Sequence, residues 1–165
     1  PQWRVGDGPV ALIGAGGAAR AGCVKLQEAG STEIRIINRT AERAVGLACE
    51  FGSPIITVPW AERATALEGV SLLVNATILG MRGQPPLDLD LDLLPRSAVV
   101  TDIVYAPLKT ALLYDAETRG NRIVDGLGML LHQARPGFAA YFDLEPEVTT
   151  ALRDHVMNQI ENPHG

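Results

Sequence analysis

The residues Gly14-Ala15-Gly16-Gly17-Ala18-Ala19-Arg20 follow directly on the apolar run Pro9-Val10-Ala11-Leu12-Ile13, marking a point where a buried strand turns into a helix. This junction constrains the fold more than any other feature. A strand buried on both faces needs a parallel sheet with helices packed on each side. Gly14 can make the tight turn, Gly16 lets the backbone come close to a pyrophosphate, and Ala19 is small enough for close helix-on-strand packing. The helix N-terminus adds free N–H groups and a partial positive charge at the same place. A plain strand-helix turn fits the glycine pattern as well, so the next strand has to decide between the two.

That strand, Ile34-Arg35-Ile36-Ile37, ends about 24 residues after Gly14. Dinucleotide-binding units usually carry an Asp or Glu there for a ribose 2′-hydroxyl. Here the chain has Asn38 and Arg39, with Arg43 one turn into the following helix. A carboxylate would repel a 2′-phosphate, whereas guanidinium groups offer planar donors that grip a dianion. Each charge-assisted hydrogen bond contributes about 1.5–3 kcal/mol, or about 10- to 150-fold in affinity, enough to set a cofactor preference. The two segments together point to NADP. The alternative is two solvated arginines on a surface helix. Thr40 keeps two readings, a helix N-cap and a phosphate contact.

Composition sets limits. At 165 residues and 47% hydrophobic content, the chain is expected to form a single domain, 1–165, that buries roughly 70% of its unfolded surface. A C-terminal helix and tail are expected at 144–165. The net charge of −5 argues against nucleic acid or an anionic membrane as partner, since either calls for a basic face. No apolar run approaches the roughly 18 residues of a membrane span, and no basic-then-apolar leader stands at Pro1, so a cytoplasmic location is expected. Cys23 and Cys49 show neither C-x-x-C nor metal spacing and are expected to be buried, reduced thiols. No metal site is expected.

Strand and helix patterns alternate along the chain. Helices are expected at Gly17–Ala29, Ala41–Phe51, Ala61–Leu67 and Leu108–Arg119, with Gly30, Gly52 and Gly120 as stops. Strands after the first are expected at Glu33–Ile37, Ile55–Val58, Val70–Val74, Ala98–Ile103 and Arg122–Val124. The fold class that follows is α/β, a Rossmann-type doubly wound parallel sheet of about six strands with helices on both faces. The stretch Arg82–Pro95 reads as an irregular loop near the site, its Asp-Leu pairs as a turn and short helix. Pro136 interrupts the stripe Leu127, Leu130, Leu131, Ala134, Phe138, Tyr141, so that helix should bend or restart near Arg135. Val148, Leu152 and Val156 read as a final packing helix, with Asn162–Gly165 frayed.

Ligands of such sheets sit beyond the carboxyl ends of the strands. There the chain has Asn75-Ala76-Thr77-Ile78-Leu79-Gly80-Met81, Asp102-Ile103-Val104-Tyr105-Ala106-Pro107 and Asp125-Gly126-Leu127-Gly128-Met129-Leu130-Leu131-His132-Gln133. With the glycine turn and the N-R-T-x-x-R segment, these make five motifs in order. The set resembles the NADP-binding C-terminal domain of the shikimate dehydrogenase family, from about Val10 to Phe142.

The resemblance implies that Gly14, Ala15, Gly16, Gly17 and Ala18 hold the pyrophosphate, and that Asn38, Arg39, Thr40 and Arg43 hold the 2′-phosphate. It further implies that Asn75, Ala76 and Thr77 border the ribose and nicotinamide side, and that Ile103, Gly126 and Met129 position the nicotinamide. Tyr105 and Gln133 would face the substrate. From the residues alone, Tyr105 is equally a strand-end aromatic and Met129 a core residue, while Gln133 sits among Leu130, Leu131 and Ala134, where an unpartnered amide is costly to bury. The family's proton-handling Lys and Asp belong to an N-terminal domain that this chain is expected to lack. Lys109, His132 and His155 form no convincing acid/base pair, so no catalytic residue is assigned. The expectation is a fragment, suggested also by the lack of an initiating Met at Pro1. It should bind NADP without turning over shikimate or 3-dehydroshikimate, and could self-associate through the apolar face exposed in the absence of its other domain. A quinate-acting relative and a non-catalytic NADP-binding module are the alternatives.

Overall fold

The structure, a computed structural model, describes residues 3–162. Six strands form one parallel sheet in the order β3-β2-β1-β4-β5-β6: β1 Val10–Ile13, β2 Ile34–Ile37, β3 Ile55–Val58, β4 Leu72–Asn75, β5 Val99–Asp102 and β6 Arg122–Val124. Every neighbouring pair is parallel, and the order reverses at β1. The register sets Ile37, Ile13, Asn75 and Asp102 side by side, so the segments that follow β1, β2, β4 and β5 leave the sheet from one row. That row is the switch point at which such sheets bind ligands.

Side chains alternate between the two faces. On one face, Leu12, Ile34 and Ile36 pack under α1 Gly17–Glu28 and α2 Ala41–Phe51, which bury Ala19, Cys23, Ala44 and Leu47. The i, i+3/i+4 spacing of those residues makes each helix lie flat on the strands. On the other face, Ala11, Ile13, Leu73 and Val100 pack under α3 Ala111–Thr118 and the stretch between β4 and β5. The doubly wound expectation is met in strand number, direction and layering.

Local departures have local causes. The helix expected at Ala61–Leu67 is two short 3₁₀ turns, Trp60–Glu62 and Thr65–Leu67. The helix expected from Leu108 starts at Ala111, because Thr110 takes the N-cap position and its hydroxyl accepts the Leu113 N–H at 3.4 Å. Of the turn and short helix expected for the Asp-Leu pairs only the turn forms, closed by the Leu94 N–H on the Leu91 carbonyl at 2.9 Å. Their period of two is that of extended chain, so Leu87 and Leu91, with Leu94 beyond, turn into the core while Asp88 and Asp92 pair outward with Arg63 and Arg119. Cys23 is buried, but Cys49 is exposed because it lies off the Ala44-Leu47 face of α2.

The C-terminal part is a helix pair. Helix α4, Leu127–Phe142, runs through Pro136 without the expected restart and buries only Leu127. It ends at Asp143, whose left-handed φ of 51° is the conformation usually taken by a glycine stop. Helix α5, Thr150–Glu161, is N-capped by Thr149 and buries none of its residues. Of the end expected to fray, residues 163–165 lie outside the described residues. Among the described residues, no helix is long and apolar enough to cross a membrane.

Candidate functional site

The glycine turn is built by close approach. Gly14 has φ +114°, and a Cβ there would lie 2.9 Å from the Ala76 carbonyl oxygen and 3.0 Å from Thr77 Cγ2. Only glycine satisfies both the conformation and the contact. Its N–H donates to the Ile37 carbonyl at 2.8 Å, which ties the turn to the end of β2. By contrast, a Cβ on Gly16 or Gly17 would meet only open space. That space belongs to a cleft of about 500 Å³ at the carboxyl ends of β1, β2, β4 and β5. Gly16 is the N-cap of α1, so the unpaired N–H groups of its first turn open on the cleft.

Of the residues singled out from sequence, Gly14, Ala15, Gly16, Gly17, Ala18, Asn38, Arg39, Arg43, Ala76, Thr77 and Ile103 line this one cleft. Arg20, Arg35, Arg63, Arg119, Arg135 and Arg153 are each held by a carboxylate. Arg39 and Arg43 are exposed and, among the described residues, have no ion-pair partner. Two free guanidinium groups beside a helix N-terminus form a site for a multiply charged anion. Thr40 is the N-cap of α2 by position only. Its hydroxyl makes no capping bond and does not line the cleft, while the Asn38 amide donates to the Thr40 carbonyl at 2.8 Å.

Asn75 differs from the expectation of a residue bordering the cleft. It is fully buried, and its amide is used up internally: Nδ2 donates to Leu79 O at 3.1 Å and to Asp102 Oδ1 at 3.0 Å, and Oδ1 accepts the Thr77 N–H and hydroxyl. Asp102, also fully buried, accepts the Val104 N–H at 2.9 Å and the Thr110 hydroxyl at 2.7 Å. Burial pushes the Asp102 carboxyl above its ordinary value, against the pull of those hydrogen bonds. The network shapes the chain after β4 and β5, so Asn75 acts on the cleft through Ala76 and Thr77. Asp102 and Thr110 were missed as site builders. Their signal was an acid ending a buried strand, with a capping Thr eight residues on. Trp60, Ile78, Leu79, Gln84 and Pro85 also line the cleft and were not singled out, although the Arg82–Pro95 stretch was expected to pass nearby.

Gly126 is buried at the start of α4, where a Cβ would lie 2.4 Å from Ile103 O and 2.5 Å from Val104 O. The turn after β6 is therefore wedged against the chain that carries Ile103 into the cleft. Met129 is half-buried and Tyr105 is exposed at 38%; neither lines the cleft. Gln133 is exposed, so its amide carries no burial cost: α4 has no second layer packed over it there. His132 is also exposed, and Lys109 is paired with Glu117 and stacked on Tyr114. The cleft lining holds no Lys, His, Asp or Glu that could move a proton.

Comparison with known proteins adds three findings. The sequence profile of the shikimate / quinate 5-dehydrogenase family matches residues 4–79. The chain is 58% identical over 158 residues to the shikimate dehydrogenase (NADP(+)) of Paramagnetospirillum magneticum, and 54% identical over 163 residues to that of Rhodospirillum rubrum. Each match covers 96% of this chain, but only 57% and 58% of the relative, so the chain spans a little over half the length of the relatives it matches. Among solved structures, the shikimate 5-dehydrogenase of Thermus thermophilus in complex with NADP(H) and shikimate is 34% identical, with a TM-score of 0.77 over 93% of this chain and 56% of that one. The quinate dehydrogenase of Corynebacterium glutamicum in complex with NAD is 28% identical, with a TM-score of 0.83 over 92% of this chain and 55% of that one.

Proposed function

The chain belongs to the shikimate dehydrogenase family, and from that premise we propose that it is the family's NADP-binding half, serving an enzyme that interconverts 3-dehydroshikimate and shikimate. One observation carries the choice of cofactor: Arg39 and Arg43 stand free at the rim of a cleft that begins at a glycine turn and a helix N-terminus. The donor set fits a phosphorylated dinucleotide. Open space over Gly16 and Gly17 admits a pyrophosphate to the unpaired N–H groups of α1, and two guanidinium groups match the charge of a 2′-phosphate. When bound, NADPH supplies the hydride for the ketone carbon. The chain's own part is to bind and orient: Ala76 and Thr77 bound the cleft on one side and Ile103 on another, with Gly126 wedged behind Ile103 and Met129 in the same turn.

The proton needed at the ketone oxygen has no donor in this cleft, so we further propose that the chain alone binds cofactor without turning over substrate. Tyr105 and Gln133, exposed at the carboxyl end, are left to face the substrate and whatever completes the site. A second reading, a quinate-acting enzyme that uses NAD, is favoured by the likeness to the Corynebacterium glutamicum structure.

Calorimetric titration of the chain with NADP and with NAD at one salt concentration tests the proposal. The expected result is tight NADP binding and weak NAD binding. Arg39→Gln should weaken NADP by about tenfold or more, the equivalent of one lost charge-assisted bond, and leave NAD within about twofold. Equal affinity for both cofactors would favour the second reading, and binding of neither would reject both.

A further inference from the structure

Helix α5 lies across the carboxyl-end loops with no fully buried side chain; Val156, Met157 and Ile160 are half-buried and the helix packs against α4. Polar clasps hold it as well. Arg153 Nη2 binds Asp125 Oδ2 at 2.6 Å, and the connector from α4 is fixed by Arg135, whose Nε donates to Pro146 O at 2.9 Å and whose Nη2 pairs with Glu145. At the far end of α5, Arg82 Nη2 donates to Ile160 O at 3.3 Å, while the Arg82 N–H donates to Ala106 O at 2.8 Å. The helix therefore joins the turn after β6 to the segments after β4 and β5.

The Asp125 clasp differs from the others in what it leads to. Asp125 Oδ1 accepts the Leu127 N–H at 3.0 Å, so one carboxylate shapes the Gly126 turn with one oxygen and takes Arg153 with the other. A Cβ on Gly128, two residues on, would lie 3.9 Å from Arg153 Nη1, so the guanidinium also passes over this turn. Gly126 in turn leaves no room for a Cβ against Ile103 O, and Ile103 lines the cleft. A path of direct contacts thus runs from Arg153 through Asp125 and the Gly126 turn to Ile103. It reaches the end of the cleft opposite the glycine turn and Arg39. The pair is partly shielded, with side chains 37% and 28% exposed, so it is screened less than a surface ion pair.

We propose that Arg153 is a positioning residue: by holding Asp125 it sets the Gly126 turn against Ile103, and so controls how well the nicotinamide end of the dinucleotide is held while leaving the adenosine end untouched. This rests on the cofactor reading above.

The test uses two probes that differ only at that end, NADP and 2′-phosphoadenosine diphosphoribose, which lacks the nicotinamide. Arg153→Met should weaken NADP by about fivefold, in line with a partly shielded ion pair, and leave the truncated probe within about twofold. Arg153→Lys should recover most of the loss. Asp125→Asn, which keeps an acceptor for the Leu127 N–H, should show the same selective loss, and adding Arg153→Met to it should cost nothing more. Should Arg153→Met fail to fold, Asp125→Asn carries the test alone. An equal loss for both probes, or no loss for either, overturns the inference and leaves the cofactor reading standing. If the unaltered chain binds neither probe, the cofactor reading itself falls, and the inference with it.

Discussion

The two halves of the sheet are finished differently. Strands β1 to β3 are covered by α1 and α2, helices that bury Ala19, Cys23, Ala44 and Leu47 against Leu12, Ile34 and Ile36. On the same face, β4 to β6 present Leu72, Val99, Thr101, Arg122 and Val124 to a shallow groove of about 360 Å³, with Trp3 at its side and Val124 still 43% exposed. The helices that follow β6 do not close this face: α4 buries one residue and α5 none, although Phe138, Tyr141 and Phe142 stand exposed on α4. The first half is stabilised by apolar burial on both faces and gives the cleft its rigid anion-binding end. The second is buried under α3 and the β4–β5 stretch on one face only, and beyond β6 it relies on side-chain clasps and wedged backbone, interactions that are individually smaller and easier to lose.

That contrast can be broken most directly in the core. Leu12→Ala, under α1 and α2, should cost about 3 kcal/mol, whereas Phe138→Ala on α4 should cost less than about 1 kcal/mol, as read from urea midpoints at unchanged slope. Comparable losses at the two positions would mean that α4 is covered after all.

Glycine substitutions sharpen the point at the next scale down. Gly126→Ala must push Ile103 and Val104 apart from α4 and should cost about 2–3 kcal/mol. Gly16→Ala adds a methyl to open space and should leave the urea midpoint within about 0.5 kcal/mol of the unaltered chain while weakening any ligand that enters the cleft. Equal midpoints for the two variants would show that the turn after β6 yields freely.

The smallest effect lies in the polar network that joins the halves. Burial raises the Asp102 carboxyl above its value in the unfolded chain, so the folded state binds the proton more readily. The contribution of this group is therefore most favourable below the usual carboxylate range, near 3.8, and declines as pH rises through the raised folded-state value. Asp102→Asn retains acceptors for Asn75 and Val104 and never ionises. The stability of the variant relative to the unaltered chain should therefore increase with pH, measured as urea midpoints from acid to neutral pH. A difference that stays flat would place the ionised carboxylate in balance with its three donors.

Much of this was legible in advance, for a common reason. The glycine turn, Asn38-Arg39 and the five short strands after it are local patterns: apolar runs of strand length, punctuated by glycine or a capping residue, specify an element without reference to anything distant. The limits of α2, β3 and β6 were read to the residue. The weak points were stretches whose state depends on a distant partner. Leu87, Leu91 and Leu94 share the leucine content of a helix, yet enter the core from an extended stretch ended by a turn, while Asp88 and Asp92 pair outward with Arg63 and Arg119. Asn75 carries a motif that suggests ligand contact, yet its amide is taken up by Leu79 and Thr77 close by in sequence and by Asp102, which the fold places beside it. Gln133 was expected to face the substrate from among apolar neighbours that make an unpartnered amide costly to bury; it is exposed, because a helix stripe is buried only where another layer covers it.

By itself, then, the sequence determined the doubly wound sheet, the position of the glycine turn and the cationic character of the segment after β2, since propensity, periodicity and charge are properties of short stretches of chain. The tertiary structure alone decided that Arg39 and Arg43 are left without counterions among the described residues, that Asn75 and Asp102 turn to each other, and that α5 reaches the Gly126 turn through Arg153. Each of those depends on which residues distant in sequence the crossovers bring within hydrogen-bond range, and no local pattern encodes that.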